Sequence, residues 1–427
     1  MAPSQSTSSQ RVRAFVAAGH LPTLLTAFVY FDFCFAIWVL NGAMAPFITA
    51  ELHLSAAQTG LATSVPVLVG ALLRLPVGVV AQHWGRKNVA LASMALIILG
   101  LVAGMLLVDS LTGVLVMSIV LGVGGASFGV ALSLGAGSYP RRYKGLAMGI
   151  AGAGNSGAVI AMLCAPPLAA AHGWRTVYGL ATLPILIALV LLWIFAREPE
   201  DRDAGQKLAD HGKLLWSRDL WVLTLVYSVT FGGYIGLTSF LPTFFNVQYG
   251  VDKAHIGPYV AFAILAGSVL RVAGGWLSDR LGGLALLRWL LVAVALLALA
   301  AVTLPGPIAM VGLLVLCFAA MGAGNGAVFQ LVPLRFAAVT AVAGGLVGEI
   351  SAFAGGALPG LMGVARQRSG SFAPGFVAIA VLALAALVAL ALVGRAWQRT
   401  WLADGRARAA SVPDGEDATV GAVAEGA

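Results

Sequence analysis

Five polar residues stand where the surrounding sequence is apolar, and their types limit what chemistry the chain can do. Arg74, in ALLRLPVG, has no charged residue within seven positions on either side, and Arg271, in SVLRVAGG, has a like setting. A guanidinium is a permanently charged planar fork of donors. In an apolar run it either snorkels to the interface along its stem or faces the protein interior and holds an anion. Asp32, in VYFDFCFAIW, and Glu349, in GGLVGEISAF, are carboxyls in similar surroundings. Such acids are hydrogen-bonded structural residues, partners of an arginine, or proton sites. Asn155, in GAGNSG, adds an amide. This set handles ions and protons and breaks no covalent bond. No His/Asp/Glu metal cluster, Ser/His/Asp set or phosphate loop accompanies it. The expectation is a protein that is not an enzyme and needs no metal or cofactor.

The elements that position these residues follow from composition. The chain has 427 residues, 60% hydrophobic and 10% charged, with 53 glycines. Continuous apolar blocks of about 20 residues read as transmembrane helices, and glycine is tolerated there because packed neighbours satisfy the backbone. Twelve helices are predicted, near 23–47, 57–81, 88–108, 111–134, 143–165, 175–195, 219–246, 257–277, 285–304, 307–331, 337–363 and 374–395. The polar stretch 196–218 divides them six and six. The expected organisation is an N-terminal segment 1–22, a six-helix bundle 23–195, a linker 196–218, a second bundle 219–395 and a disordered tail 396–427. No cleavage site follows the polar N-terminus, so no removable leader is read there. Cys34, Cys164 and Cys317 lie in apolar runs and read as small core residues.

The net charge of +8 is a topology signal. With the N-terminus inside, nineteen of the 25 Lys and Arg fall in cytoplasmic segments, four fall outside, and Arg74 and Arg271 lie within the membrane. This excess predicts cytoplasmic termini and does not point to nucleic acid. An internal repeat is also visible. RLPVGVVAQHWG (74–85) and RVAGGWLSDRLG (271–282) share Arg, then Gly four later, then Gly eleven later, at an offset of 197 residues. Two six-helix halves repeated in parallel are the plan of a secondary transporter. The repeat places both arginines on the pseudo-symmetry axis, which favours an anion site over snorkelling.

The loop elements Gly78, Gly85, Gly275, Asp279 and Arg280 resemble the cytoplasmic loop signature of the major facilitator superfamily. The first copy departs from it, with Gln82 and His83 in place of the acid and base. The charged pair of the second copy is expected to bridge neighbouring helix ends. GLAMGIAGAGNSGAV (145–159) carries a small-residue stripe, Gly145, Gly149, Gly152 and Ser156, for close helix packing. GGLVGEISAFAGGALPG (344–360) is its counterpart, with Gly344, Gly348, Ala352, Gly355 and Pro359. Gly152, Gly154, Gly157, Gly348, Gly355 and Gly356 are the expected packing and gating positions. GAGNGAVFQ in the tenth helix repeats some of these letters at an offset of 170, so it is not a repeat mate.

These glycine-rich stretches, with an arginine in the second and eighth helices and WVLNGAMAPFITAELHLSAAQTGLATSVPVLVGALLRLPVG before them, resemble the nitrate/nitrite porters of the major facilitator superfamily. Glu349 departs from the family's second signature. The resemblance implies a twelve-helix all-α membrane fold in two pseudo-symmetric halves. It implies alternating-access transport of nitrate, and of nitrite, across the inner (plasma) membrane in the service of nitrate assimilation. It also implies that Arg74 and Arg271 hold the anion, Phe128 and Phe329 sandwich it, Tyr227 donates a hydroxyl and Asn155 lines the site; Phe231 is either wall or core. FDFCFAIWVLNG is similar to the branch that runs as nitrate/proton symporters, which favours Asp32 over Glu349 as the proton site. The partners expected are a small inorganic anion, protons and the lipid bilayer, acting on a monomer. Nitrate/nitrite antiport and transport of another small anion, such as a carboxylate or phosphate ester, remain open.

Electrostatics supports a split clamp. Arginines about 8 Å apart repel by about 2 kcal/mol at an effective dielectric near 20, whereas an anion about 4 Å from each gains about 4 kcal/mol per arginine.

Overall fold

A computed structural model describes residues 8–199, 212, 214–336 and 339–402. Most of the linker 196–218, most of the tail 396–427 and the start of segment 1–22 lie outside the described residues. A short helix, Ser8–Ala17, precedes the membrane part. Among the described residues twelve helices are long and apolar enough to cross a membrane. They are α1 Leu21–Leu52, α2 Ala56–Trp84, α3 Arg86–Leu107, α4 Leu111–Gly137, α5 Leu146–His172, α6 Trp174–Phe195, α7 Arg218–Tyr249, α8 Lys253–Leu281, α9 Gly283–Val302, α10 Pro307–Arg335, α11 Val342–Ser369 and α12 Ala373–Arg399. The chain is a multi-pass membrane protein. The helix pattern is legible because each span is bounded by a stop the sequence spells out. Ser55 and Gln58 form a capping box ahead of α2, and Gly85 and Gly282, at φ +100° and +86°, make the turns after α2 and α8.

Five helices are irregular: α6 is broken at Ala181, and the other four breaks lie near the polar residues singled out above. α1 is interrupted at Val39, α4 and α5 contain 3₁₀ turns at Val123–Ala126 and Ala153–Ser156, and α7 carries a π turn at Ser228–Gly232. Trp38, Phe128, Asn155, Tyr227 and Phe231 sit in or beside these breaks. Such interruptions free backbone groups that must be satisfied locally. Pro66, inside α2, leaves the carbonyl of Ala62 without its helical donor; Asn41 Nδ2 reaches it at 3.5 Å and also donates to Ser118 at 2.7 Å, while Tyr178 donates to Asn41 Oδ1 at 2.7 Å. One buried amide thereby ties α1, α2, α4 and α6 together.

Glycines set the helix crossings. A Cβ on Gly157 would sit 1.8 Å from the Asp32 carbonyl oxygen, and one on Gly154 2.7 Å from the Asp32 nitrogen, so α1 and α5 touch backbone to backbone. In the second half Gly232 and Gly355 do the same for α7 and α11, each with an added Cβ 2.5–2.6 Å from a carbonyl of the other helix. The predicted α5 stripe needs correction. Gly149 faces open space, and Gly152 meets only Leu132 and Phe128; the close contact belongs to Gly154 and Gly157, because the 3₁₀ turn rotates the face that α1 receives. Gly322, Gly326 and Gly274 lock α8 to α10, with an added Cβ 2.0–2.3 Å from a facing carbonyl. The tenth-helix motif is therefore a packing surface for the helix that carries Arg271. Cys34 and Cys317 are buried as expected, but Cys164 is exposed beside Ile160 and Leu163 on the outer surface of α5.

The charged loop elements also differ from expectation. Arg280 does not bridge to a helix end; its guanidinium lies 3.9 Å from the Trp276 ring centroid, and Asp279 is exposed. In the first half the bridging is done by Glu198, which accepts from the Arg86 and Lys87 backbone N–H groups at 2.8 Å each. Its carboxylate caps the N-terminus of α3, where the helix dipole favours negative charge. Lys87 Nζ returns to the carbonyls of Trp193 and Ala196, at 2.8 and 2.7 Å, at the end of α6.

Among the described residues the close backbone contacts between the two halves lie on one side. Toward the face opposite the chain ends, Gly60 abuts Pro359 and Gly363, Gly42 abuts Ser239, Gly257 abuts Met162, and Ser64 Oγ accepts from the Gly360 N–H at 2.8 Å. Toward the face that carries the chain ends, Gly78, Gly149, Gly275 and Gly345 have nothing within 4 Å of an added Cβ.

Candidate functional site

Arg74 lies at the boundary between the closed and open parts. Its Nε donates to the Gly125 carbonyl at 3.1 Å, freed by the 3₁₀ turn in α4, and its Nη1 donates to the Gly348 carbonyl of the other half at 3.0 Å. Two of its five N–H donors are thus spent on fixing the plane of the guanidinium, and the rest remain for a ligand. Aromatic rings surround it, with centroids 5.4 Å away for Trp38, 5.6 Å for Phe128 and 5.3 Å for Phe231. Arg271 approaches the same ring, its guanidinium 5.8 Å from the Phe128 centroid. The two arginines, from α2 and α8, therefore converge on Phe128.

Tyr227 joins them from α7. Its hydroxyl lies close enough to Arg271 and Arg74 to feel both charges, and its ring stacks on Phe231 with centroids 5.1 Å apart and meets Phe329 edge-on at 5.2 Å. The structure thus gathers Arg74, Arg271, Phe128, Tyr227, Phe231 and Phe329 around one point. Asn155 donates to Ser268, three residues before Arg271 on α8, at 3.3 Å. Gly78, Gly85, Gly275, Asp279 and Arg280 are not in the cluster.

The two acids have different surroundings. Asp32 is buried at the α1–α5 crossing, where it accepts from Ser156 Oγ at 2.6 Å. Its bond fastens the restart of α5, and no arginine contacts it among the described residues. Glu349 follows Gly348 in sequence, is half-buried, and faces Arg74 closely enough for the two charges to interact. The sequence neighbours of Arg74 offer no acid; this one comes from the other half. Trp38 was also absent from the predicted site. Its indole Nε1 donates to the Pro66 carbonyl at 2.7 Å, and its ring fills the space left by Gly70 and Gly125. An arginine flanked by glycines on a neighbouring helix was the only available signal.

A charged, aromatic-walled site between two six-helix halves, closed on one side and open on the other, defines a secondary transporter. The family model described as Major Facilitator Superfamily matches residues 26–363. The "Nitrite extrusion protein" of Bacillus subtilis is 30% identical over 356 residues, covering 83% of this chain and 89% of that protein. The "Probable nitrate transporter NarT" of Staphylococcus haemolyticus is 29% identical, covering 83% and 92%. The "Probable nitrate/nitrite antiporter NarK1" of Thermus thermophilus is 28% identical, covering 80% and 84%. Among solved structures, an inward-facing, occupied bacterial homologue of the human lysosomal transporter Spinster superposes with a TM-score of 0.69 at 20% identity, covering 91% of this chain and 98% of that one. The chain belongs to the Major Facilitator Superfamily and, within it, to the nitrate/nitrite porters. It is a transporter and not an enzyme.

Proposed function

We propose that this chain carries nitrate, and nitrite as a second substrate, across the plasma (inner) membrane by alternating access, and that inward movement is coupled to protons. The observation that carries this reading is the convergence of Arg74 and Arg271, from opposite halves, on the Phe128 ring. Nitrate is planar, small and singly charged. A guanidinium offers it coplanar N–H donors, and flat aromatic walls suit its faces while excluding a bulky tetrahedral ester. The names of the relatives support an oxyanion of nitrogen as the substrate. In this reading Arg74, Arg271, Tyr227 and Asn155 bind the anion, Phe128, Phe329 and Phe231 wall it, and the bundles 23–195 and 219–395 rock about it as units. The chain acts as a monomer with both termini cytoplasmic, so the described conformation is open inward.

Glu349 is the better coupling candidate. Substrate and carboxylate compete for the same guanidinium, so a proton on Glu349 releases Arg74 to the anion, and the two enter together. Asp32, which sequence alone favoured, has its bond at the α1–α5 crossing and no stake in the anion's charge. Uptake of labelled nitrate into proteoliposomes, with and without an imposed pH gradient and with nitrite inside or absent, tests the proposal. Gradient-driven accumulation without internal nitrite is expected. Uptake only against internal nitrite makes the chain an antiporter. Transport of a carboxylate and not nitrate overturns the substrate assignment.

A further inference from the structure

Three polar residues beside the anion cluster, Asn155, Ser268 and Tyr234, form a bonded chain that joins the halves near Arg271. Asn155 Nδ2, on α5, donates to Ser268 Oγ, on α8, at 3.3 Å. Ser268 Oγ lies 3.0 Å from the hydroxyl of Tyr234, on α7, and that hydroxyl lies 3.2 Å from the Ile264 carbonyl. Donors and acceptors fit one polarity: the amide donates to the serine, the serine to the tyrosine, and the tyrosine to a backbone carbonyl. Every hydroxyl proton then has an acceptor, and each bond polarises the next. Asn155 and Tyr234 are 4% and 1% exposed.

The geometry ties this chain to the site. Ser268 lies three residues before Arg271 and shares its helix face. Tyr234 lies two turns beyond Tyr227 on α7, so the helix that brings Tyr227 near Arg271 also brings a second hydroxyl to Ser268. The Tyr234 ring cannot swing. It fills the space over Gly267, where an added Cβ would be 2.6 Å away, and it packs on Phe318 with centroids 5.1 Å apart. Asn155–Ser268 and Arg74–Gly348 both cross between the halves.

We infer that Tyr234 and Ser268 are positioning residues for the anion site, holding Asn155 and Arg271 in register across the halves when the carrier is closed on the far side. The inference rests on the anion-carrier reading. It is tested with Tyr234→Phe, Asn155→Ala and their double variant in proteoliposomes. Tyr234→Phe is expected to raise the apparent KM for nitrate about three- to tenfold, the worth of one hydrogen bond, with maximal rate within about twofold. The double variant is expected to be no worse than Asn155→Ala alone, because both break one chain. Ser268→Ala is expected to match Tyr234→Phe, and Ser268→Thr to match wild type. Unchanged KM in Tyr234→Phe, or effects that multiply in the double variant, overturns the inference.

A second readout needs no substrate. Gly275→Cys, in a Cys164→Ala background, reports access to the open face through its rate of modification by a membrane-impermeant maleimide. Tyr234→Phe is expected to slow that rate about threefold or more, because it weakens a bond made in this conformation. An unchanged rate overturns the inference even if nitrate proves not to be the substrate. Wild-type protein that takes up no nitrate, with slowed labelling in Tyr234→Phe, overturns the nitrate reading and leaves the chain standing.

Discussion

Replacing Glu349 by Gln removes one charge from the neighbourhood of Arg74 while keeping the shape of the side chain. The two groups interact but form no ion pair within 4.0 Å. For an assumed separation of about 6 Å and an effective dielectric near 20 the attraction is about 3 kcal/mol. Water reaching the half-buried pair screens it to about 1–2 kcal/mol, or five- to thirtyfold in binding. The sign follows from competition. When Glu349 is ionised it occupies Arg74 and weakens anion binding, so the wild-type KM for nitrate should rise with pH. In Glu349→Gln the competitor is permanently neutral, so KM should be low and flat across the same range. Counterflow of labelled for unlabelled nitrate should persist, because it needs no proton release, whereas accumulation driven by a pH gradient should vanish. The assay is initial-rate uptake in proteoliposomes at several pH values, followed by gradient-driven accumulation. A Glu349→Gln variant that retains both the wild-type pH dependence of KM and gradient-driven accumulation refutes the competition argument.

Asp32→Asn keeps an acceptor for Ser156, so accumulation per folded molecule should stay within about twofold of wild type; loss of accumulation with retained exchange would move the coupling to Asp32. Arg74→Lys and Arg271→Lys keep charge but lose the planar fork, and each should lower kcat/KM for nitrate by at least about tenfold without reducing membrane insertion, as read by uptake and by detergent-solubilised yield. Gly157→Ala places a methyl on the Asp32 carbonyl and should destabilise the protein by about 3 kcal/mol or more, whereas Gly149→Ala meets open space and should be neutral within about 0.5 kcal/mol in thermal unfolding.

The helices were legible because the bilayer imposes a length and an apolarity that each span must meet, and the Arg–Gly–Gly repeat marked α2 and α8 at matched depth. Phe128, Phe329 and Tyr227 entered through the family resemblance; spacing alone did not mark them. What sequence could not give was set by tertiary contact. Whether Glu349 faces Arg74 depends on how α11 lies against α2. The error over the α5 stripe arose because a 3₁₀ turn at Ala153–Ser156 shifts the packed face away from where a straight helix would put it. Tyr234 and Ser268 were invisible for a simpler reason: a tyrosine and a serine in an apolar helix are ordinary until their hydroxyls are seen bonded.

Trp38 gives the protein an optical reporter. The sequence contains ten tryptophans; Trp84, Trp174, Trp193, Trp397 and Trp401 lie at or near helix ends, and Trp216, Trp221, Trp276 and Trp289 are exposed. Trp38 alone stands at mid-helix, 1% exposed, with its indole N–H fixed on Pro66 and its ring over the guanidinium of Arg74. An indole excited state is sensitive to the charge above its face and to electron-accepting anions beside it. Emission from this one residue will therefore register the filling of the site and any departure of Arg74 from its ring, with no label attached. A chain in which the other nine tryptophans are replaced by Phe turns the carrier into its own spectroscopic gauge of occupancy.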